Sequence, residues 1–382
     1  AVAPEAVLER LRRAGIHAIP TGIAHGTITA VLGAMHFEIT SLRRDVETYG
    51  RHAKVAFTDD WAADAARRDF TINALSCDAD GRVYDYFDGI DDLAAGRVRF
   101  VGDAMARIAE DALRLLRFFR FYASYGRPPA DAAALAACRA RAADVRRLSG
   151  ERVRGEILRI LAAADPAAVL RLMREHGLLA EVLPEADDLD RLDHLVWLED
   201  RALALASVRP DQTRRLAAVI AHDGEAAAAV AARLRFSNRE RDRLVRALGR
   251  DFAFDPAGDA LALNKALRHL GAQTVRDRAL LAWAGERALT PRLPRSRTEA
   301  WLTVLARIDA WQPVPFPLRG RDALALGIGR GPAIGRLLAE VEAWWEAGGY
   351  RADRDACLAH LRQSLAAGDV TARAGRRGGL GE

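Results

Sequence analysis

Lysine is almost missing from this 382-residue chain: Lys54 and Lys265 are the only two, so nearly all of its 57 basic residues are arginine. Cysteine is also scarce. Cys77, Cys138 and Cys357 lie far apart and are odd in number, which suits a reducing cytoplasm and offers no metal cluster. No apolar run approaches the roughly 20 residues of a membrane span, and no signal peptide opens the chain. A regular repeat is lacking too. There is no initiating methionine: the chain begins at Ala1 and passes directly into a helical pattern, PEAVLERLRRAG, so an upstream segment is expected to be missing.

What is present describes a soluble globular protein. Charged residues make up 29% and hydrophobic residues 50%, enough for two or three domains, each with its own core. The net charge is +5 and the pI about 9.4. Arginine holds phosphate in a bidentate way and stacks on bases, so a nucleic-acid partner is one reading. A GC-rich genome, which inflates alanine and arginine together, is an equally open one. No protein partner is evident.

The first hundred residues mix strand and helix signals. Pro4 opens a helix that Gly15 closes. His17 to Pro20 reads as a strand and Thr21-Gly22 as a turn. Thr27 to Leu32 and His36 to Leu42 alternate as a hairpin through Gly33-Ala34-Met35, with Phe37 and Ile39 on one face and Glu38 on the other. Arg43 to Asp60 is polar and is expected to form a mobile loop. A short helix from Trp61 to Arg68 precedes RRDFTINAL (67–75). Val83 to Asp85 pairs back across the Asp80-Gly81 turn. Beyond Asp103, leucine- and alanine-rich helices follow one another to about Ala366, and AGRRGGLGE ends the chain as a disordered tail.

The stretch from Asp103 to Tyr125 is expected to be one long helix, N-capped by Asp103 and stopped at Gly126-Arg127-Pro128. Asp111, Arg114, Arg117 and Arg120 recur along it at three-residue steps, which keeps neighbours in contact. A solvated face with intrahelical ion pairs would look the same. A fixed carboxylate, however, can accept from an exocyclic amine while a guanidinium donates to ring nitrogens or carbonyls, and together they can read a base edge. RRDFTINAL packs two arginines, an acid and an amide into a helix end, which suits phosphate and ribose contacts or an ordinary cap. DYFDGIDDL (85–93) lacks calcium-loop spacing and reads as a turn with a helix cap. His222-Asp223 lacks the further histidines of a metal phosphohydrolase. Trp344-Trp345 reads as core rather than a stacking platform. The glycines 327, 329, 331 and 335 could present amides to an RNA backbone or serve an ordinary turn.

Order and spacing decide among these readings. RRDFTINAL, DYFDGIDDL, the EDxxRxxR of Glu110 to Arg117 and SGERVRGEIL (149–158), in that sequence, closely resemble the class II tRNA nucleotidyltransferases, the CCA-adding enzymes. These share their layout with bacterial poly(A) polymerases. The resemblance is dense from about Pro4 to Leu161 and traceable beyond, as in FPLRGRDALALGIGRGPAIGRLL (316–338). It implies an α+β fold: a truncated nucleotidyltransferase head with a mixed sheet at 1–92, then an all-helical remainder. That remainder would be a neck at 93–182 for base recognition and RNA binding, a body and tail at 183–367 for tRNA binding, and a disordered end at 368–382.

The resemblance further implies roles for single residues. Arg68 matches a nucleotide-contacting arginine, and Asp69 and Asn73 fall where the family surrounds ribose and triphosphate. Asp111 and Arg114 match the pair that reads CTP or ATP, and Arg117 and Arg120 match arginines that hold the nucleotide. Glu38 matches the third catalytic acid, and Glu151 and Arg152 a motif that braces the reading helix. The implied activity is addition of C, C and A to the tRNA 3′ end from CTP and ATP, with magnesium and pyrophosphate release. Poly(A) addition or partial addition is the alternative within the class. Family members begin with GGxVRD and an Asp-x-Asp pair that holds the metals. This chain starts after both, so as given it is expected to bind nucleotide poorly and not to catalyse; a non-catalytic RNA-binding remnant is the contrasting reading.

Overall fold

The computed structural model describes residues 2–377 apart from 50, 51, 204, 221, 222, 250, 251, 253, 329 and 330. The chain forms two compact units. One comprises Ala1–Arg250 with Trp283–Pro291, the other Asp251–Ala282 with Arg292–Glu382.

The first unit opens with α1 (Pro4–Arg13), where proline at the helix start supplies a preset φ. Glu5 in its first turn and Arg10, Arg12 and Arg13 in its last complement the helix dipole. An antiparallel sheet follows in the order β1 (His17–Gly22), β2 (Thr27–Leu32), β3 (Met35–Thr40). The expected turn at Thr21-Gly22 lies instead within β1, and the chain reverses through Ile23–His25. Register pairs Ile28 with Ile39, Ala30 with Phe37 and Thr29 with Glu38. Residues directly opposite share a face, so Phe37 and Ile39 lie on the side of buried Ile28 and Ala30, and Glu38 on the other.

The polar stretch read as a mobile loop is a hairpin, β4 (Arg43–Tyr49) paired antiparallel with β5 (His52–Phe57). Counting apolar residues missed it because a two-stranded ribbon is held by backbone pairing. Its base is tied down: the N–H of Thr58 donates to Leu42, and that of Arg43 to the Asp64 carboxylate at 3.1 Å.

Asp60 caps α2 (Trp61–Ala66), accepting from the N–H groups of Ala62 and Ala63. The chain then passes through RRDF to an antiparallel bridge between Phe70 and Phe100. The short strands β6 (Ser76–Cys77) and β7 (Val83–Tyr84) pair as expected. Before α3 (Gly89–Ala95), the Asp85 carboxylate accepts from the N–H groups of Phe87, Gly89 and Ile90, so DYFDGIDDL is a turn and cap. Gly89 lets two backbones meet there, since a Cβ would stand 2.3 Å from the Thr71 carbonyl oxygen. Buried Asp92 completes the join, accepting from the Thr71 hydroxyl at 2.6 Å and Arg99 Nε at 2.9 Å.

The expected single helix from Asp103 to Tyr125 is two helices, α4 (Ala104–Glu110) and α5 (Leu113–Tyr125). Asp103 does cap the first. The break is at Asp111, whose backbone is extended (φ −150°, ψ 108°) and whose carboxylate accepts from the N–H of Leu113 at 3.1 Å. A short acidic side chain that satisfies a nearby N–H competes with the helical carbonyl for it, and here it wins. The inward face of α5, with Leu115, Leu116, Phe118 and Phe119, is fully buried. Phe70 packs 4.8 Å from Phe100 and 5.0 Å from Phe121, and Phe118 lies 5.1 Å from Phe119. Burying each such ring stabilises by about 1.5–3 kcal/mol, so a single aromatic core spans the sequence boundary near residue 92.

The rest of this unit is helical: α6 (Ala132–Ala140), α7 (Gly150–Leu161), α8 (Pro166–Glu175), α9 (Leu178–Val182), α10 (Leu189–Trp197), α11 (Gln212–Val219), α12 (Gly224–Arg233) and α13 (Asn238–Ala247). Leu198–Ala202 forms a π-helical turn that carries Glu199 inward. The Glu199 carboxylate, fully buried, accepts from Arg214 and Arg215, and Arg215 also donates to the carbonyls of Leu161 and Ala163 at the end of α7. Arg191, equally buried, donates to carbonyls of Ala217, Ala218 and Ile220 at the end of α11.

In the second unit α14 (Ala260–Leu270), part of α15 (Ala272–Leu289), α16 (Arg295–Ala310), α17 (Gly320–Ala325), α18 (Pro332–Ala347) and α19 (Arg354–Arg377) follow. Trp345, Leu318, Val341, Cys357 and Leu361 form a core there. Trp345 is core as read from the sequence, whereas its neighbour Trp344 is 38% exposed and stacks on His360 at 4.1 Å. α19 continues to Arg377, so residues 368–377 of the expected disordered end are helical; 378–382 lie outside the described residues. Among the described residues no helix is long and apolar enough to cross a membrane.

Removing one member of a buried ion cluster leaves charges without partners. Glu199→Ala is expected to destabilise the protein by about 3 kcal/mol or more, read as a fall in the urea midpoint. Substituting the exposed Glu9 in the same way should leave that midpoint nearly unchanged.

Candidate nucleotide and RNA interface

Arg67, the C-cap of α2, and Arg68 after it both turn back to Asp64 one helical turn earlier. The Asp64 carboxylate accepts from Arg67 Nε at 3.0 Å and Nη2 at 2.8 Å, from Arg68 Nη2 at 3.1 Å, and from the N–H of Arg43. Burial alone would raise this carboxyl; the Arg43 N–H and the Arg67 and Arg68 guanidinium groups overcome it and hold it below the usual carboxylate range. Arg68 remains 45% exposed and Arg67 17%.

The next residue, Asp69, is nearly buried and accepts from Arg117 on α5 and from the side-chain amide of Asn73. The Asn73 side-chain oxygen is buried and has no hydrogen-bond partner among the described residues. Thus Asp69, Asn73 and Arg117 meet.

Arg114 is drawn to the same seam. Its Nη1 donates to the Arg107 carbonyl at 3.0 Å and to Glu110, and its Nη2 to the Arg67 carbonyl at 3.3 Å. Those three bonds leave two of the five guanidinium N–H groups, on Nε and Nη2, for another acceptor. Arg107 braces this arrangement through the Val101 carbonyl at 3.0 Å, Glu110 at 2.8 Å and the Ala66 carbonyl. Sequence reasoning gave Arg107 and Asp64 no role. Their only signal is position, each three residues ahead of a charged motif residue, Glu110 and Arg67.

Asp111 stands beside this cluster rather than on α5. Its second carboxylate oxygen accepts from Arg152 on α7 at 2.7 Å, which fits the bracing role expected for Arg152. A cleft of about 350 Å³ opens here, lined by Asp111, Glu110, Ser149, Arg152, Arg141 and Arg147. Arg120, six residues beyond Arg114, faces α7 instead: its Nε lies 3.1 Å from buried Glu156, and its guanidinium covers the Phe121 ring at 4.6 Å. Burial lowers the Arg120 pKa, an effect that Glu156 opposes and Arg117 and Arg159 reinforce.

Glu38 is placed apart. It is exposed on β3 opposite Thr29, and no hydrogen bond or ion pair joins it to the arginine cluster among the described residues. Among those residues no group of three histidine, cysteine or acidic side chains could hold a metal ion. His222 and Gly329 lie outside the described residues, and Asp223 serves as the cap of α12.

The Asp64 hub has a pH signature. Its folded pKa lies below the unfolded value of 3.8, so its contribution is fully present above that value and is lost as pH falls through the folded pKa. Wild type is expected to exceed Asp64→Asn in urea midpoint at pH 7, with the gap closing below pH 3.8. A gap independent of pH would show that the carboxylate charge is not what matters.

The described architecture has parallels in known proteins. A family model for the "Poly A polymerase head domain" matches residues 1–99, and one for the "Probable RNA and SrmB- binding site of polymerase A" matches residues 131–189. Mitochondrial CCA tRNA nucleotidyltransferase 1 of Homo sapiens is 33% identical over 374 residues, covering 94% of this chain and 80% of the human protein. The CCA-adding enzyme of Lactococcus lactis subsp. lactis is 36% identical over 192 residues, 49% of this chain and 48% of its own. Among solved structures, the Bacillus stearothermophilus CCA-adding enzyme in complex with CTP has the same fold, with a TM-score of 0.74 at 22% identity, covering 97% of this chain and 88% of that one. With one third of positions shared across 80% of the human relative, the chain belongs to the class II family of CCA-adding tRNA nucleotidyltransferases and bacterial poly(A) polymerases.

Proposed function

We propose that this protein is a CCA tRNA nucleotidyltransferase, adding C, C and A to the tRNA 3′ end from CTP and ATP with release of pyrophosphate. The observation that carries the reading is the identity of 32–34% across 94% of the chain to vertebrate proteins of that name. The geometry of Asp111 and Arg114 supports it. Cytosine and adenine both carry an exocyclic amine where guanine and uracil carry a carbonyl oxygen. A carboxylate held by Arg152, as Asp111 is, accepts from that amine and repels the carbonyl. Arg114, pinned by Glu110 and two carbonyls, has N–H groups left for the adjacent ring nitrogen or carbonyl. Discrimination then needs no nucleic-acid template.

In this reading Arg68, half-exposed beside the cluster, contacts the nucleotide, and Asp69 and Asn73 flank its ribose and triphosphate. Arg117 and Arg120 contribute fixed positive charge for the phosphates. Residues 1–92 act as the head, 93–182 as the neck that selects the base, and 183–367 as a surface for tRNA. The three free cysteines suit a reducing compartment such as the cytoplasm. Magnesium belongs to the reading as the family's metal, with Glu38 as the third acid of its site. The described residues do not fit a two-metal site by themselves.

The test offers the protein, expressed from its full reading frame, a tRNA ending at the discriminator base. Two C followed by one A, in that order, is the expected product; long A tracts from ATP alone would instead identify a poly(A) polymerase. Arg114→Ala is expected to reduce selection of CTP and ATP over UTP and GTP by roughly tenfold or more, the scale of one bidentate base contact. Unchanged selectivity in that variant would remove Arg114 from base reading.

A further inference from the structure

On the other side of α5 an open groove of about 390 Å³ runs against α7. We propose that it takes the 3′-terminal stretch of the RNA that is extended, with Arg159 and Tyr125 as its contact residues; this rests on the RNA-extending reading above.

The groove is built around one carboxylate. Glu156 on α7 is buried, its side chain 4% exposed; one oxygen accepts from Arg159 Nη1 at 3.2 Å and the other lies 3.1 Å from Arg120 Nε as an ion pair. Two positive charges against one negative leave the pocket locally basic. For Arg120, 19% exposed, the entropy of ordering a long side chain is already lost before a ligand arrives. Arg159 keeps 59% of its side chain exposed, so its remaining N–H groups are open to an anion. Across from it α5 presents Phe121, Ser124 and Tyr125, the last 51% exposed. Guanidinium groups facing a half-exposed aromatic ring are the two elements that single-stranded RNA needs, one for the phosphodiester and one for the base face.

Two observations favour RNA over the incoming nucleotide. At about 100° per residue, Arg120 sits roughly 120° round α5 from Arg114, so this groove and the base-reading cluster face different neighbours. Arg120, assigned above to the nucleotide's phosphates, borders both; Arg159 and Tyr125 belong to the groove alone. In addition, α7 lies within residues 131–189, which match the model described as a probable RNA-binding site.

Arg159→Ala, Tyr125→Ala and Arg159→Lys separate the possibilities in the full-length protein. The Kd for a tRNA lacking CCA would be measured by fluorescence anisotropy at two or more salt concentrations, and that for CTP and ATP by equilibrium dialysis without RNA. Each alanine variant is expected to weaken tRNA binding about tenfold. The salt slope should fall by about one for Arg159→Ala and be kept by Arg159→Lys. Nucleotide binding should stay within about twofold of wild type. Unchanged tRNA affinity, or an equal loss of nucleotide affinity, overturns the proposal. Loss of tRNA affinity that Arg159→Lys does not restore in part, with a lowered melting point, also counts against it, as a purely structural role. A wild-type protein that extends tRNA while the variants bind it normally sinks the groove alone; one that neither binds nor extends tRNA sinks the functional reading beneath it.

Discussion

The ion pair between Asp69 and Arg117 joins segments 48 residues apart, and most of the candidate site hangs from it. Asp69 is nearly buried, and a buried carboxylate without a charged donor would be expensive to maintain. The pair therefore fixes the distance between the RRDFTINAL turn and α5. Once that distance is set, Arg114 can reach the Arg67 carbonyl, Arg107 the Ala66 carbonyl, and the Phe70 ring can settle among Phe100, Phe118 and Phe121. Loss of Asp69 would release charge, packing and site geometry together.

The same arrangement recurs wherever the chain concentrates arginine. Asp64 holds Arg67 and Arg68, Asp92 lies against Arg97 and Arg99, Glu110 holds Arg107 and Arg114, Glu156 lies between Arg120 and Arg159, and Glu199 holds Arg214 and Arg215. At Asp64 and Glu199 the two carboxylate oxygens are divided between the two arginines, whereas at Glu110 both arginines meet one oxygen. Lysine could not substitute, because a single ammonium presents no planar fork and is more strongly hydrated. Seen this way the near-absence of lysine has a structural use, whatever its genomic origin. Around Asp64, Glu110 and Glu156 two arginines share one acid, and that surplus positive charge is left oriented, which is what a phosphate-rich ligand requires.

Much of this was legible in the sequence. The β2–β3 hairpin followed from alternation and from Gly33 at its tight turn, and the facing of Phe37, Ile39 and Glu38 followed from the two-residue period. RRDFTINAL and EDxxRxxR marked where the charges would gather. The β4–β5 hairpin was not legible, because its pairing is a backbone property of a polar stretch. Nor were the roles of Arg107 and Asp64, which act by reaching carbonyls and neighbouring side chains that have no sequence signature. The break at Asp111 was missed for a subtler reason: the helical period holds on both sides of it, and only a side-chain hydrogen bond interrupts the backbone.

That break matters more than its two residues suggest. On an unbroken helix Asp111 and Arg114 would be successive-turn neighbours, and a direct ion pair would be the expected outcome. Each would then satisfy the other and have little left for a base. With Asp111 in an extended conformation, its carboxylate turns to Leu113 N–H and Arg152, while Arg114 turns to Glu110 and the carbonyls of Arg107 and Arg67. Glu110 and Arg152 thus act as separate anchors that keep the acceptor and the donor from neutralising one another. Under the proposed function, a reader of base edges needs an acid and an arginine that are fixed and not paired together, and a kinked helix flanked by a second acid and a second arginine supplies that arrangement.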